Sequence, residues 1–184
     1  MKYFIFLFGL NTIVIAQSTK MHVITSGKGI DNFEIGMSNL DDIKNKLGPD
    51  YKIDTFYVED KPNIDHKTKT VAANAEVFSI RYSYQAFGIN FYFKPNCITI
   101  FAIAVYPPFI GKTEKGVVLN KSTFKDVIEK YGDMDWSFTF NTTGDMVYKT
   151  YDGIQFARIE ALNKDSADQY LGDRITYITV SKSK

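Results

Sequence analysis

The chain has 184 residues, of which 22 are basic, 21 acidic and 45% hydrophobic. A net charge this close to zero leaves no electrostatic footprint for nucleic acid or an anionic membrane, while the apolar fraction is ample for a core. One cysteine excludes an intramolecular disulfide, and two histidines give a histidine-based triad or a zinc cluster almost nothing to work with.

Residues 1–16 read as a secretory signal. Lys2 supplies the positive start, an apolar stretch broken by Asn11 and Thr12 follows, and V-I-A at 14–16 fits the small-residue rule for cleavage before Gln17. The apolar stretch falls short of the roughly 20 residues of a membrane span. Export to the periplasm or the extracellular space is therefore expected, with no transmembrane segment after cleavage. Residues 17–32 are polar, with a short strand expected over 21–25.

Residues 35–48 read I-G-M-S-N-L-D-D-I-K-N-K-L-G. Leu40, Ile43 and Leu47 fall on one stripe of a short helix. Ser38 is the expected N-cap with Asp41 as its capping-box partner, and Gly48 is the expected left-handed terminator ahead of Pro49. Residues 51–74 are charged and carry Pro62, which predicts a solvated loop. Its Glu59, Asp60, Asp65 and His66 match no calcium or zinc spacing, so no metal is expected.

Residues 77–106 predict strands. Phe78, Ile80, Tyr82 and Tyr84 alternate with polar residues, Gly88 marks a turn, Ile89, Phe91 and Phe93 alternate again, and 98–106 is apolar on both faces. Cys97, beside that run, is expected to be a buried free thiol. Pro107, Pro108, Gly111 and a charged tail read as a connection over 107–115.

Residues 119–132 then repeat the helix pattern as L-N-K-S-T-F-K-D-V-I-E-K-Y-G. Phe124, Val127, Ile128 and Tyr131 form its stripe and Ser122 its expected cap, weakened by Lys125 where an acid would complete the box. Strands are expected near Phe138 and over 146–151, 153–159 and 175–180. Gly153-Ile154-Gln155-Phe156 echoes Gly88-Ile89-Asn90-Phe91. The order helix, strand, Gly-Ile-polar-Phe strand, apolar strand thus occurs twice.

These observations predict an α+β fold of two tandem modules, 17–106 and 116–184. Each is a short helix packed on one face of an antiparallel β-sheet.

No nucleophile elbow, phosphate-cradling loop or dinucleotide fingerprint is present. Paired acids such as Asp41-Asp42 suit a helix N-terminus. The expectation is a non-catalytic binding protein without cofactors. A carboxylate-based hydrolase acting on glycans or peptides, or a structural envelope protein, is the alternative. With 12 Tyr, 15 Phe and one Trp, the strands carry much aromatic surface, and such residues anchor recognition sites. Tyr106, Phe109, Trp136 and Tyr151 are the expected partner-binding anchors, for a protein partner.

The 35–49 string, ending L-G-P, resembles the opening of the small outer-membrane-assembly lipoproteins of the SmpA/OmlA (BamE-like) type. Its tandem use resembles the β-lactamase-inhibitor-protein (BLIP-like) arrangement. The resemblance implies a helical segment on one face of an antiparallel sheet in each module and a non-catalytic, protein-binding role through an aromatic-rich sheet surface. This chain lacks the lipidated cysteine of the former and the paired cysteines of the latter, and no binding residue is carried over.

Overall fold

The computed structural model describes residues 21–58, 64–65, 70–71, 76–139, 145–159 and 167–183. The expected signal at 1–16 and the acidic cluster's Glu59, Asp60 and His66 lie outside them. In chain order the elements are β1 (His22–Thr25), β2 (Gly29–Ile30), β3 (Phe33–Glu34), α1 (Leu40–Leu47), β4 (Lys52–Tyr57), β5 (Ile64–Asp65), β6 (Thr70–Val71), β7 (Val77–Tyr84), β8 (Ile89–Phe93) and β9 (Ile100–Val105). Then come β10 (Gly111–Thr113), α2 (Phe124–Tyr131), β11 (Ser137–Thr139), β12 (Met146–Tyr151), β13 (Ile154–Ile159) and β14 (Tyr177–Ser181). The fold is a mixed, sheet-rich α+β arrangement. No helix among the described residues is long and apolar enough to cross a membrane.

An eight-stranded antiparallel sheet runs β11-β12-β13-β14-β9-β8-β7-β4. After α1 the order of the large-sheet strands is β4, β7, β8, β9, and after α2 it is β11, β12, β13, β14. The two runs meet at their last strands, where Val105 pairs with Ile178 and Ile103 with Val180. A smaller sheet, β10-β1-β2-β3, has β1 and β10 parallel. The expected connection at 107–115 therefore contains a strand, β10, that ties the middle of the chain to its first described element.

Strand alternation places one apolar set on one face of the large sheet. Ile89, Phe91, Ile103, Val105, Ile154, Phe156, Ile178 and Val180 are all buried there, in one cluster with Ile43 of α1, Phe124 and Val127 of α2, and Ile24, Ile30 and Phe33 of the small sheet. Burial of such side chains stabilises by about 1.5–3 kcal/mol each. The helices and the small sheet thus cover the same side.

Both helices start one residue later than the sequence suggests. Asn39 and Thr123 are the N-caps, and each makes a full capping box, with Asp42 and Asp126. Lys125 does not spoil the second box, because its partner is the following residue. Ser38 and Ser122 instead accept from the backbone N–H four residues earlier, of Glu34 (2.9 Å) and Val118 (3.0 Å), closing the turn that leads into each helix. Gly48 and Gly132 end the helices at positive φ (84° and 89°) but with extended ψ rather than the left-handed helical value, a region that glycine alone occupies readily. A tyrosine hydroxyl then caps each exposed carbonyl: Tyr84 donates to Gly48 O at 3.1 Å and Tyr151 to Gly132 O at 2.8 Å.

Two further expectations are corrected. Residues 52–57, expected in a loop, form β4, paired with β7 along its length. As an edge strand it is exposed, so no buried set shows in its alternation. Cys97 is exposed, because it sits in the turn before β9 while the buried run begins at Ile100.

Asn39→Ala and Thr123→Ala should each lower the unfolding free energy by about 1 kcal/mol. Urea unfolding followed by the fluorescence of the single tryptophan checks this. Unchanged midpoints would remove the boxes from the account of how the helices are placed.

Candidate binding face

The other face of the large sheet carries the polar phase of most of its strands. By register, one row across it is Asp54, Arg81, Tyr92, Ala102 and Ser181; the next is Lys52, Ser83, Asn90, Ala104, Thr179, Gln155 and Thr150. A third holds Tyr148, Ala157 and Tyr177. A bulge at Tyr92/Phe93 leaves Phe101 as the extra residue of β9, where its ring meets Tyr92 edge-on at 6.4 Å. The sheet centre bears short side chains, Ala102, Ala104 and Ala157, all buried. Large rings stand over and beside them.

Those rings and their neighbours form one network. Arg81 donates to Asp54 Oδ2 through Nε (3.1 Å) and a terminal nitrogen (2.9 Å), and its guanidinium lies 5.1 Å from the centre of the Phe56 ring. Burial opposes the Arg81 charge, but the bonds to Asp54 and Tyr92 outweigh it and hold the pKa above the ordinary value. The Tyr92 and Tyr177 hydroxyls are 3.1 Å apart, and Asn90 Nδ2 donates to Tyr177 Oη at 3.4 Å. Tyr106 stacks on Tyr177, with ring centroids 6.0 Å apart and planes 10° from parallel, and its hydroxyl is 3.5 Å from Ser83 Oγ. Burial first, then the neighbouring Tyr92, pushes Tyr177 well above the usual phenol range, so it stays protonated.

Gly88 fixes where Tyr106 stands. Tyr106 N–H donates to Gly88 O at 2.9 Å, and a Cβ on Gly88 would lie 2.1 Å from Tyr106 O. At φ +64° and with no room for a side chain, that turn requires glycine.

Arg81, Ser83, Asn90, Tyr106 and Tyr177 line a recess of about 380 Å³. Asn90 is 4% exposed, and its Oδ1 has no partner. A buried amide oxygen left unpaired costs about 1–3 kcal/mol.

Of the four anchors expected from sequence, only Tyr106 lies on this face. Phe109 stacks on His22 at 4.9 Å and packs against the core. Trp136 lies edge-on to Phe124 at 4.9 Å and 4.3 Å from the Lys149 ammonium. Tyr151 packs against Tyr131 and Phe156, with burial, then nearby Asp133, raising its pKa to about 12. These three belong to the covered side and are not brought together with Tyr106. Arg81, Asn90 and Tyr177 were not anticipated as a site. Their signal is the polar phase of β7 and β8, Ser79-Arg81-Ser83 and Asn90-Tyr92, between the apolar positions that mark the core.

A second recess of about 460 Å³ lies beside the start of α1, lined by Leu40, Ile80, Tyr82, Phe93, Cys97 and the 80%-exposed Ile98, among others. Among the described residues, no group of three or more His, Cys, Asp or Glu is placed to hold a metal ion. Comparison with known proteins gives no match: no family model, no curated protein and no solved structure is similar to this chain.

Lys149, on the covered side, is fully buried. It donates to Asp133 Oδ1 at 2.9 Å and to Met134 O, under the Trp136 ring. The hydrogen bond and charge of Lys149 hold the Asp133 carboxyl below its ordinary range. A depressed carboxyl contributes stability above its unfolded pKa and loses it as pH falls through the folded one. The melting temperature of the wild type should therefore drop more steeply below about pH 4 than that of Asp133→Asn. Near neutral pH, Asp133→Asn should destabilise more than Lys149→Met, because only the former leaves a buried ammonium without its counter-charge. Equal acid slopes or the reverse ranking in thermal melts would contradict this.

Proposed function

We propose that this chain is an exported, non-catalytic binding protein that recognises a protein partner through the open face of its eight-stranded sheet. The carrying observation is one-sided coverage: the helices and the small sheet pack on one face, and the other bears Tyr92, Tyr106, Tyr148, Tyr177, Phe56 and Phe101 around Arg81. Aromatic and arginine side chains contribute large contact area with few rotors to freeze, and interface hot spots are enriched in them. The groups on this face favour recognition over proton transfer. Tyr177 is held protonated, and Arg81 already has its carboxylate.

We further propose that the chain arose by duplication of one helix-and-sheet module, in keeping with the BamE-like and BLIP-like resemblance. The support is contact by contact. Each helix has an Asn or Thr capping box with an aspartate at N3, a serine closing the turn before it, and a tyrosine hydroxyl on the terminal glycine carbonyl. The carbonyl of each of those serines also accepts from an isoleucine N–H, Ile100 (3.0 Å) and Ile175 (2.8 Å).

Capture of protein from the source organism's envelope and secreted fractions tests the binding reading. Tyr106→Ala should reduce the captured partner at least about tenfold, a loss of about 1.4 kcal/mol or more. Ile98→Ser, in the recess beside α1, should leave capture unchanged. Loss with Ile98→Ser and retention with Tyr106→Ala would move the interface to the covered side and overturn the proposal.

A further inference from the structure

Among the described residues, β4 pairs with β7 on one side and with no strand on the other. Lys52 through Phe56 are all exposed, Ile53 by 56%. Every second residue of such an edge turns its N–H and C=O outward, a template for one more strand. We propose that this edge is the interface for a second copy of the chain, β4 against β4 in antiparallel pairing about a two-fold axis at Ile53.

Geometry restricts where that axis can pass. A two-fold relating two antiparallel edge strands stands perpendicular to the sheet, so each side chain keeps its face. Directly opposed residues of an antiparallel ladder share a face and share the outward or inward turn of their backbone groups. The axis must therefore pass at a residue and never between two.

Charge then selects the residue. With the axis at Ile53, Lys52 of each copy opposes Asp54 of the other, so two opposite-charge pairs form. With the axis at Lys52 or at Asp54, a like charge faces itself, which is destabilising. With the axis at Thr55 or Phe56, Asp54 faces Phe56 or Val58, and the ladder runs into the register shift at Phe56/Tyr57. The charges that turn other strands away thus admit this one. Both groups are ready for the contact. Lys52 is exposed and has no ion-pair partner among the described residues. Asp54 takes both Arg81 nitrogens on Oδ2, which leaves Oδ1 for a second cation, and its side chain is 47% exposed.

The apolar side agrees with the same register. Ile53 stands beside Tyr82, and Tyr82 beside the buried Phe91. Across the axis Ile53 meets its own mate, and Tyr51 opposes Thr55, an aromatic–β-branched pair. The row Phe91-Tyr82-Ile53 then continues into the second copy, as Ile103 continues into Val180 at the join between β9 and β14.

Sedimentation equilibrium of the purified chain tests this. A reversible dimer is expected, with a dissociation constant of about 100 μM or tighter. Lys52→Glu sets a carboxylate opposite Asp54 twice and should weaken the dimer at least tenfold, while Lys52→Arg should keep it. Asp54→Lys should also weaken it, and an equimolar mixture of the Lys52→Glu and Asp54→Lys chains should dimerise again. Lys52→Glu leaves the Arg81–Asp54 pair intact, so it carries the test alone if tryptophan fluorescence shows Asp54→Lys unfolded. In a Cys97→Ser background, Ile53→Cys should oxidise to a linked dimer, whereas Thr55→Cys, which faces Tyr51, should not. A monomer at every concentration up to about 1 mM overturns the proposal, as does a dimer that Lys52→Glu leaves unchanged. So does protection of the β4 amides from hydrogen exchange only when a captured envelope protein is bound, which would give the edge to a different chain.

Discussion

The pairing of β9 with β14 is the constraint on which the remaining structure depends. Four strands of the large sheet follow each helix, and the first set ends in β9, apolar on both faces. Left apart, β9 and β14 would each present an unpaired edge, with Ile103 and Val105 on one and Ile178 and Val180 on the other, a template for aggregation. Joined, they bury Ile103 against Val180 and Val105 against Ile178, and the core becomes continuous across both halves of the chain. The outer edges of the merged sheet fall to β4, which carries Lys52 and Asp54, and to β11. Charge of the kind β4 carries is a usual protection of such edges.

The same pairing makes the sheet two-sided. The buried apolar phases turn toward the helices, so most of the polar phases share the other face. At the seam that face has only Ala102 and Ala104 on β9, short enough for rings from neighbouring positions to come together above it. Tyr92, from β8, and Tyr177, from β14, bring their hydroxyls to 3.1 Å across that strand. A network linking the two halves can form only where the strand between them has small side chains. The candidate site is thus a consequence of the seam, and the helices and caps contribute to it only by holding each half flat against its core.

Much of this was legible in the residues. Strong alternation marks β7 and β8, the Gly-Ile-polar-Phe echo marks β13, and the fully apolar run marks β9, because burial leaves a periodic mark. The helix spans were legible through Ile43, Phe124 and Val127. The caps slipped by one residue because Ser38-Asn39 and Ser122-Thr123 each offer two capping side chains in succession, and propensity does not rank them; the tertiary pairing of Ser38 O with Ile100 N and Ser122 O with Ile175 N does. β4 left no mark because an edge strand buries too little, and β10 because three residues bound to a distant strand make no pattern. Among the anchors, Trp136 and Tyr151 lie on the covered side, which the sequence does not show for one reason: aromatic identity does not say which face a residue takes, and Lys149, whose ammonium lies against the Trp136 ring, reads from sequence as a surface charge.

The polar phase explains why the recess itself was hidden. An asparagine in a strand reads as solvent-facing, and Asn90 would be so on an isolated hairpin. It becomes buried only when Tyr177, 87 residues away, is laid across it by the β9–β14 seam. The unpaired end of that amide is therefore a product of long-range assembly, opposed by desolvation. Ser79 and Ser83, equally polar and equally buried on the same strand face, are small and lose little by it. Asn90 carries a larger unmet demand in a place where alanine or serine would fit the register. Its cost to the fold is the desolvation of an amide end that no protein atom meets.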